Sequence, residues 1–277
     1  AGRVPVEPAA RMLRFRSLGS GSTGNGTLIE STRNGRTTRL LVDCGFSLRE
    51  LTRRLAPAGL TPSMLDGVFI THEHSDHVGC ALQLGRRHGV PVWASLGTWQ
   101  AMDRKPAPLR AVGAELVRHI ALNGVPIELG GLQVTPFGVP HDAAEPLQLR
   151  CTDGVARLGV LTDLGEPTDA VVAHLSDCHA LLLECNHDAQ MLADGPYPFF
   201  LKRRVGGVRG HLANTQSATI LDRCRHAGLR HVVAAHLSQQ NNTPELAAAA
   251  LSGVLGCSAT EIVVADALQG SPWLDAG

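Results

Sequence analysis

Six consecutive residues carry most of the chemistry legible in this chain: His72-Glu73-His74-Ser75-Asp76-His77. Imidazole and carboxylate are the donors that borderline divalent cations such as zinc, manganese and iron accept. The run follows the apolar stretch Val68-Phe69-Ile70, where a buried strand would emerge into a loop. His72 and His74 are two apart, so in an extended segment they point the same way. Asp76 and His77 face another direction as the chain turns into the next element. One short segment can thereby serve two adjacent cations. A solvated, merely His-rich loop is the plain alternative. It is weakened by further donors at the ends of later apolar runs. His141 follows the strand-like residues 131–140, Asp163 sits in Gly159-Val-Leu-Thr-Asp-Leu-Gly165, and His236 closes Val232-Val-Ala-Ala-His236. Loop positions just beyond strands are where layered α/β folds assemble their sites.

The elements that must hold these donors alternate between strands and helices in two similar halves. Strands are expected at 13–18, 27–30, 39–43, 67–71 and 90–94, with a Gly-rich turn at 19–26. Ser47-Leu-Arg-Glu50 is a capping box opening a helix that ends near Gly59. Residues 78–88 form a helix closed by Gly89, and 95 to about 104 a helix ended by Pro106 and Pro108. In the second half, strands are expected near 125–128, 131–139, 146–152, 155–162, 180–184, 230–236 and 261–265. Asp153-Gly154 marks a hairpin. Helices are expected at 168–175 and 214–227, and Thr243-Pro244-Glu245 opens the last one. Periodicity alone reads this as layered α/β.

Composition narrows the class. The chain has 277 residues, 44% of them hydrophobic, enough for a sizeable core in one domain or two. Formal net charge is zero, so no global field draws in a polyanion, and any such binding needs a local patch. Seven scattered cysteines with no CxxC pair read as free thiols in a reducing compartment. No apolar run approaches membrane-spanning length, and no secretory segment precedes the motif. A cytoplasmic location and no membrane partner follow as expectations. Residues 1–11 read as a disordered or cloning-derived lead-in, and 12–277 as a single domain.

The pattern HxHxDH, followed by His141, Asp163 and His236 in that order, resembles the metallo-β-lactamase superfamily. The resemblance implies a four-layer αββα sandwich and two divalent metal ions, zinc, manganese or iron. It implies that His72, His74 and His141 bind one metal and Asp76, His77 and His236 the other, with Asp163 between them. Ser17–Gly26, Glu184-Cys-Asn-His-Asp188, Gly210-His-Leu-Ala-Asn214 and the stretch from His236 to Glu245 narrow the likeness to the YycJ/WalJ branch. That branch implies a compact cytoplasmic enzyme with 5′→3′ exonuclease action on DNA. About twenty residues separate His141 from Asp163, leaving no room for a tRNase Z-type arm, and no β-CASP domain fits after Asp163. One departure is Cys80, where the motif usually continues with Gly. By resemblance, His211 would protonate the leaving group, Glu184 would orient it, and Asp76 would orient the nucleophile.

Other residues keep two readings. His187 could touch phosphate or merely pack. Tyr197, Phe199 and Phe200 precede Lys202, Arg203, Arg204 and Arg209, a mixture that can stack bases and hold phosphates. The same mixture could be an apolar anchor tucked under a surface helix. The turn 19–26 could offer N–H groups to phosphate, or be a plain hairpin. Asp43 is placed to support the ligands from behind. The alternative function is a small-ester hydrolase of lactonase, lactamase or glyoxalase type, which needs neither the Glu184–His211 pair nor the basic segment. A diiron redox protein or regulatory binding module is disfavoured by the complete ligand set.

Overall fold

The structure, a computed structural model, describes residues 11–104 and 114–277. Of the expected lead-in only Arg11 falls within them, where it opens the first strand. Pro106 and Pro108 lie outside. The strands are β1 (Arg11–Gly19), β2 (Gly26–Arg33), β3 (Arg36–Val42), β4 (Gly67–Phe69), β5 (Val92–Ala94), β6 (Arg118–Ile120), β7 (Ile127–Leu129), β8 (Leu132–Gly138), β9 (Leu147–Thr152), β10 (Arg157–Leu161), β11 (Ala180–Glu184), β12 (His231–Ala235), β13 (Val263–Val264) and β14 (Leu274–Asp275). They form two mixed sheets, ordered β14-β1-β2-β3-β4-β5-β6 and β13-β12-β11-β10-β9-β8-β7. The neighbours from β3 to β6 and from β10 to β13 run parallel. The helices are α1 (Leu48–Leu55), α2 (Ser75–Val78), α3 (Ala81–His88), α4 (Leu96–Asp103), α5 (Asp169–Leu175), α6 (Ala189–Asp194), α7 (Phe199–Val205), α8 (Asn214–Cys224) and α9 (Pro244–Leu255).

The two-residue period of a strand assigns the layers. On β3, Leu40 and Val42 enter the core between the sheets, while Leu41 turns to the core shared with α1, α3 and α4. On β12, Val233 and Ala235 face the other sheet, and Val232 and Ala234 face α8 and α9. Phe15 and Phe69 fill the centre with no exposed surface. Burying one such side chain contributes about 1.5–3 kcal/mol. Both faces of these strands are therefore apolar, and the architecture is the αββα sandwich.

Several elements escaped the sequence pattern. The segment after His77 is not a single helix from 78. The one-turn α2 covers Ser75–Val78 and α3 starts at Ala81, because Gly79 breaks the path with φ +36°. Helix α8 ends at Cys224 rather than 227. Helices α6 and α7 and the short strands β6 and β14 had no periodic signal. The turn at 19–26 is a hairpin, since β1 and β2 pair antiparallel across it.

Backbone contact locks the metal-motif loop onto the end of β3. Cys44 N–H donates to His77 O at 2.7 Å, and Asn25 N–H donates to Asp76 O at 2.8 Å. A methyl on Gly45 would overlap the Asp76 carbonyl, whereas one on Gly253 in α9 would meet nothing within 4 Å. Gly45→Ala should lower unfolding free energy by about 1–3 kcal/mol in a denaturant titration. Gly253→Ala should stabilise by up to about 1 kcal/mol. Equal effects at the two positions would mean that the close approach carries no strain.

Candidate metal centre

The donors meet at the carboxyl ends of parallel strands, the rim where open α/β sheets build their sites. His72 follows β4, Asp163 follows β10, Glu184 ends β11 and His236 follows β12. The loop after β8 brings in His141. Donor atoms fall into overlapping groups within 4.8 Å of one another: His72, His74 and His141; Asp76, His77 and His236; His72, His77 and Asp163; and Asp163, Glu184, His211 and His236. The first two groups are the two triplets read from the sequence, and Asp163 lies between them.

Hydrogen bonds orient the rings. His77 Nδ1 lies 2.8 Å from Asp43 Oδ2, which leaves Nε2 facing Asp163 Oδ2 at 3.1 Å. Thr71 Oγ1 gives its proton to Asp43 and accepts from His72 Nδ1 at 3.0 Å, leaving His72 Nε2 toward the cluster. His141 Nδ1 donates to Gly210 O at 2.9 Å, and His236 Nδ1 donates to Thr162 O at 2.7 Å. His141 Nε2 is then buried without a hydrogen-bond partner. A buried imidazole lone pair among histidines and carboxylates lacks an electrophile. These residues fit divalent cations of the borderline class.

Charge confirms the crowding. Burial alone would lower His236, but Asp163 and Glu184 outweigh it and hold the imidazole up at about 9 in the metal-free protein. His77 is likewise held well above its ordinary value by Asp163 and Asp43, against burial. Asp163 is pulled well below the carboxylate range by His236 and His77 although burial opposes this. His72, by contrast, is pushed well down by burial and by neighbouring imidazoles.

His211 and Glu184 pair at 2.7 Å through Nδ1 and Oε1. Backbone N–H groups of Leu164 and Leu212 donate to Glu184 Oε2. Burial drives His211 down to about 4. His187 is also buried, with Nδ1 unpartnered and its pKa lowered to about 4 by burial and by His211. The basic segment is not a tucked anchor: Phe199 and Phe200 are 75% and 73% exposed. Nor are all of its cations free. Lys202 Nζ donates to Ala193 O at 2.5 Å, and Arg204 Nε to Asp142 Oδ2 at 2.6 Å.

Sequence reasoning missed Thr71, Asn25 and Asp142. Asn25 Nδ2 lies 3.1 Å from His77 Nε2 and 3.3 Å from Asp76 Oδ2. Within a Gly-rich turn an Asn reads as a turn former, so nothing marked it. Thr71 and Asp142 stand beside His72 and His141, and adjacency to a candidate ligand was the available signal.

A sandwich with this cluster at its strand ends defines a metal-binding hydrolase scaffold. Residues 38–237 match the family described as a beta-lactamase superfamily domain, and the chain belongs to that superfamily. The exodeoxyribonuclease YycJ of Bacillus anthracis is 34% identical over 243 residues, 88% of this chain and 89% of that protein. The exodeoxyribonuclease WalJ of Streptococcus pneumoniae (strain D39) is 33% identical over 234 residues, 84% and 85% of the two chains. The fold is shared with the metallo-beta-lactamase fold protein YhfI of Bacillus subtilis, with a TM-score of 0.70 at 18% identity, covering 96% of this chain and 100% of that one. No helix among the described residues is long and apolar enough to cross a membrane.

A metal accepts only a neutral imidazole. Metal uptake by the chelated protein at pH 7 should therefore release protons from His236 and His77. The share of the release that comes from His236 should vanish above about pH 10, where that imidazole is already neutral. Titration calorimetry in buffers of different ionisation enthalpy measures it, and the release should fall in Asp163→Asn, where the imidazoles lose their counter-charge. A buffer-independent heat at pH 7 would contradict the raised values.

Proposed function

We propose that this chain is a metal-dependent phosphodiesterase acting as a 5′→3′ exonuclease on DNA, working in the cytoplasm. The observation that carries it is the Glu184–His211 pair at 2.7 Å, held beside the His/Asp cluster. Hydrolysis of a small carbonyl ester does not need such a pair. A DNA leaving group does, because a sugar alkoxide must gain a proton. Likeness to two exodeoxyribonucleases along most of the chain supports the same reading.

His72, His74 and His141 would hold one divalent ion, and Asp76, His77 and His236 a second, with Asp163 shared. Zinc, manganese and iron all suit this donor set. When bound, such ions supply a hydroxide nucleophile at neutral pH and neutralise phosphate charge. The chain's own groups do the rest. Asp43 and Thr71 fix the rings of His77 and His72 through their far nitrogens. Asp76, whose side chain is 21% exposed, would take a proton from the nucleophile. Glu184 receives His211 Nδ1, turning the other ring nitrogen to the leaving oxygen. His211 is neutral at pH 7 in the free protein, and the anionic phosphodiester draws it back toward the charged form. Arg203 and Arg209 would hold phosphates farther along the strand. Lys202 and Arg204 contribute charge while bonded to Ala193 and Asp142. His187, which feels the charge of His211, would adjust phosphate contact there.

His211→Ala should retain both metals and lose roughly 10²–10⁴-fold in rate on DNA. The loss should shrink on an activated aryl phosphodiester, whose leaving group needs no proton. Equal losses on both substrates would remove the acid role. The reaction class itself is tested by digesting 5′- and 3′-labelled DNA and RNA after restoring zinc, manganese or iron, with metal content measured alongside. Two metals per chain, loss of at least one in Asp163→Ala, and release of 5′-terminal nucleotides from DNA are expected. Turnover of lactones or thioesters, with polynucleotides untouched, would assign the chain to small-ester hydrolysis.

A further inference from the structure

Helix α7 buries none of its residues. Phe199 and Phe200 open it and are the most exposed large apolar side chains among the described residues, at 75% and 73%. Two adjacent benzyl groups left in water forgo a hydrophobic gain that folding usually collects, and such apolar exposure marks binding surfaces.

The surrounding charge says what could cover them. Residues 195–210 hold Lys202, Arg203, Arg204 and Arg209 and no carboxylate, in a chain of zero net charge. Arg203 Cζ stands 5.9 Å from the centre of the Phe199 ring. Among the described residues, Arg203 and Arg209 make no ion pair. A strand that offers flat aromatic faces and regularly spaced anions complements both features at once.

The helix is also wired to the metal centre. His211 N–H donates to Val205 O at 2.8 Å, at the carboxyl end of α7. Arg204 reaches Asp142, whose Oδ1 lies 3.4 Å from His141 Nε2. Six residues of helical rise carry the chain from Val205 back to Phe199, about 9 Å along the axis. A strand with its scissile phosphate at the cluster would pass this end of the helix within a few nucleotides.

We propose that Phe199 and Phe200 are a stacking platform for unpaired bases of the polynucleotide, so that a single-stranded or frayed end is the form engaged. This rests on the phosphodiesterase reading above. In a duplex each base face is covered by its neighbours, and only edges and phosphates remain for a protein. A phenyl ring has no hydrogen-bonding group, so the platform tolerates any base.

The test uses the metal-loaded enzyme and phosphorothioate-linked oligonucleotides that resist cleavage. Phe199→Ala/Phe200→Ala should weaken binding of a single-stranded 12-mer by roughly tenfold or more per ring. It should leave an abasic backbone of the same length and turnover of a small aryl phosphodiester unchanged. Wild-type protein should quench 2-aminopurine placed near the 5′ end, and the double variant should not. Phe199→Leu/Phe200→Leu, still apolar but unable to stack, should behave like the alanine pair. Equal weakening on the abasic strand, no weakening at all, or a change in oligomeric state with binding intact would overturn the platform. A wild-type enzyme that cleaves no polynucleotide would instead sink the phosphodiesterase reading, so the two failures are separable.

Discussion

A carboxylate with no access to water must be surrounded by positive charge or hydrogen-bond donors, or it will not stay ionised. Asp163 is 1% exposed, and it meets this condition with imidazoles from two separate segments. His77 Nε2 lies 3.1 Å away and His236 Nδ1 3.0 Å. The metal-motif loop, β10 and β12 must converge for this to hold. Both sheets are thereby tied at one rim, and a site between them becomes part of the fold's own electrostatics.

That convergence is bought with backbone strain. Among the described residues, the non-glycine positions of positive φ are Asn34, Asp43 and His236. Asn34 sits in an ordinary hairpin turn. The other two belong to the site, at φ 60° and 55°, where a side chain costs of order 1–3 kcal/mol. Asp43 offsets this through His77 and Thr71, and the His236 N–H is taken by Ser20 Oγ at 2.8 Å. Strain persists here because the surrounding contacts over-determine it. Through Ser20 and Asn25 the turn 19–26 braces His236 and the metal motif.

Burial ends just outside the cluster. The donors sit on strand ends packed from both faces, whereas α7 lies on the rim with no buried residue. A rigid centre suits chemistry that depends on fixed distances. An open, cationic and aromatic rim suits a long flexible ligand held by several weak contacts. The bond from His211 to Val205 joins these two regimes, so a strand lying on α7 would bear directly on the loop that carries the acid candidate.

Much of this was determined by sequence alone. The HxHxDH string, the donors after apolar runs and continuous apolar stretches such as Leu40-Leu41-Val42 are local signals. Local chemistry forces them, because a strand buried on both faces has few other ways to be written. Strand β11 was legible to the residue for that reason. Tertiary structure decided what depends on distant partners. Asn25 meets His77 across 52 positions and Ser20 meets His236 across 216, contacts that leave no mark on either segment. Helix α7 has no buried face to impose a period, so its pattern could not show whether Phe199 and Phe200 point inward or out. The strands β6 and β14, three and two residues long, exist because a neighbour offers a free edge, and that edge belongs to the fold rather than to the segment.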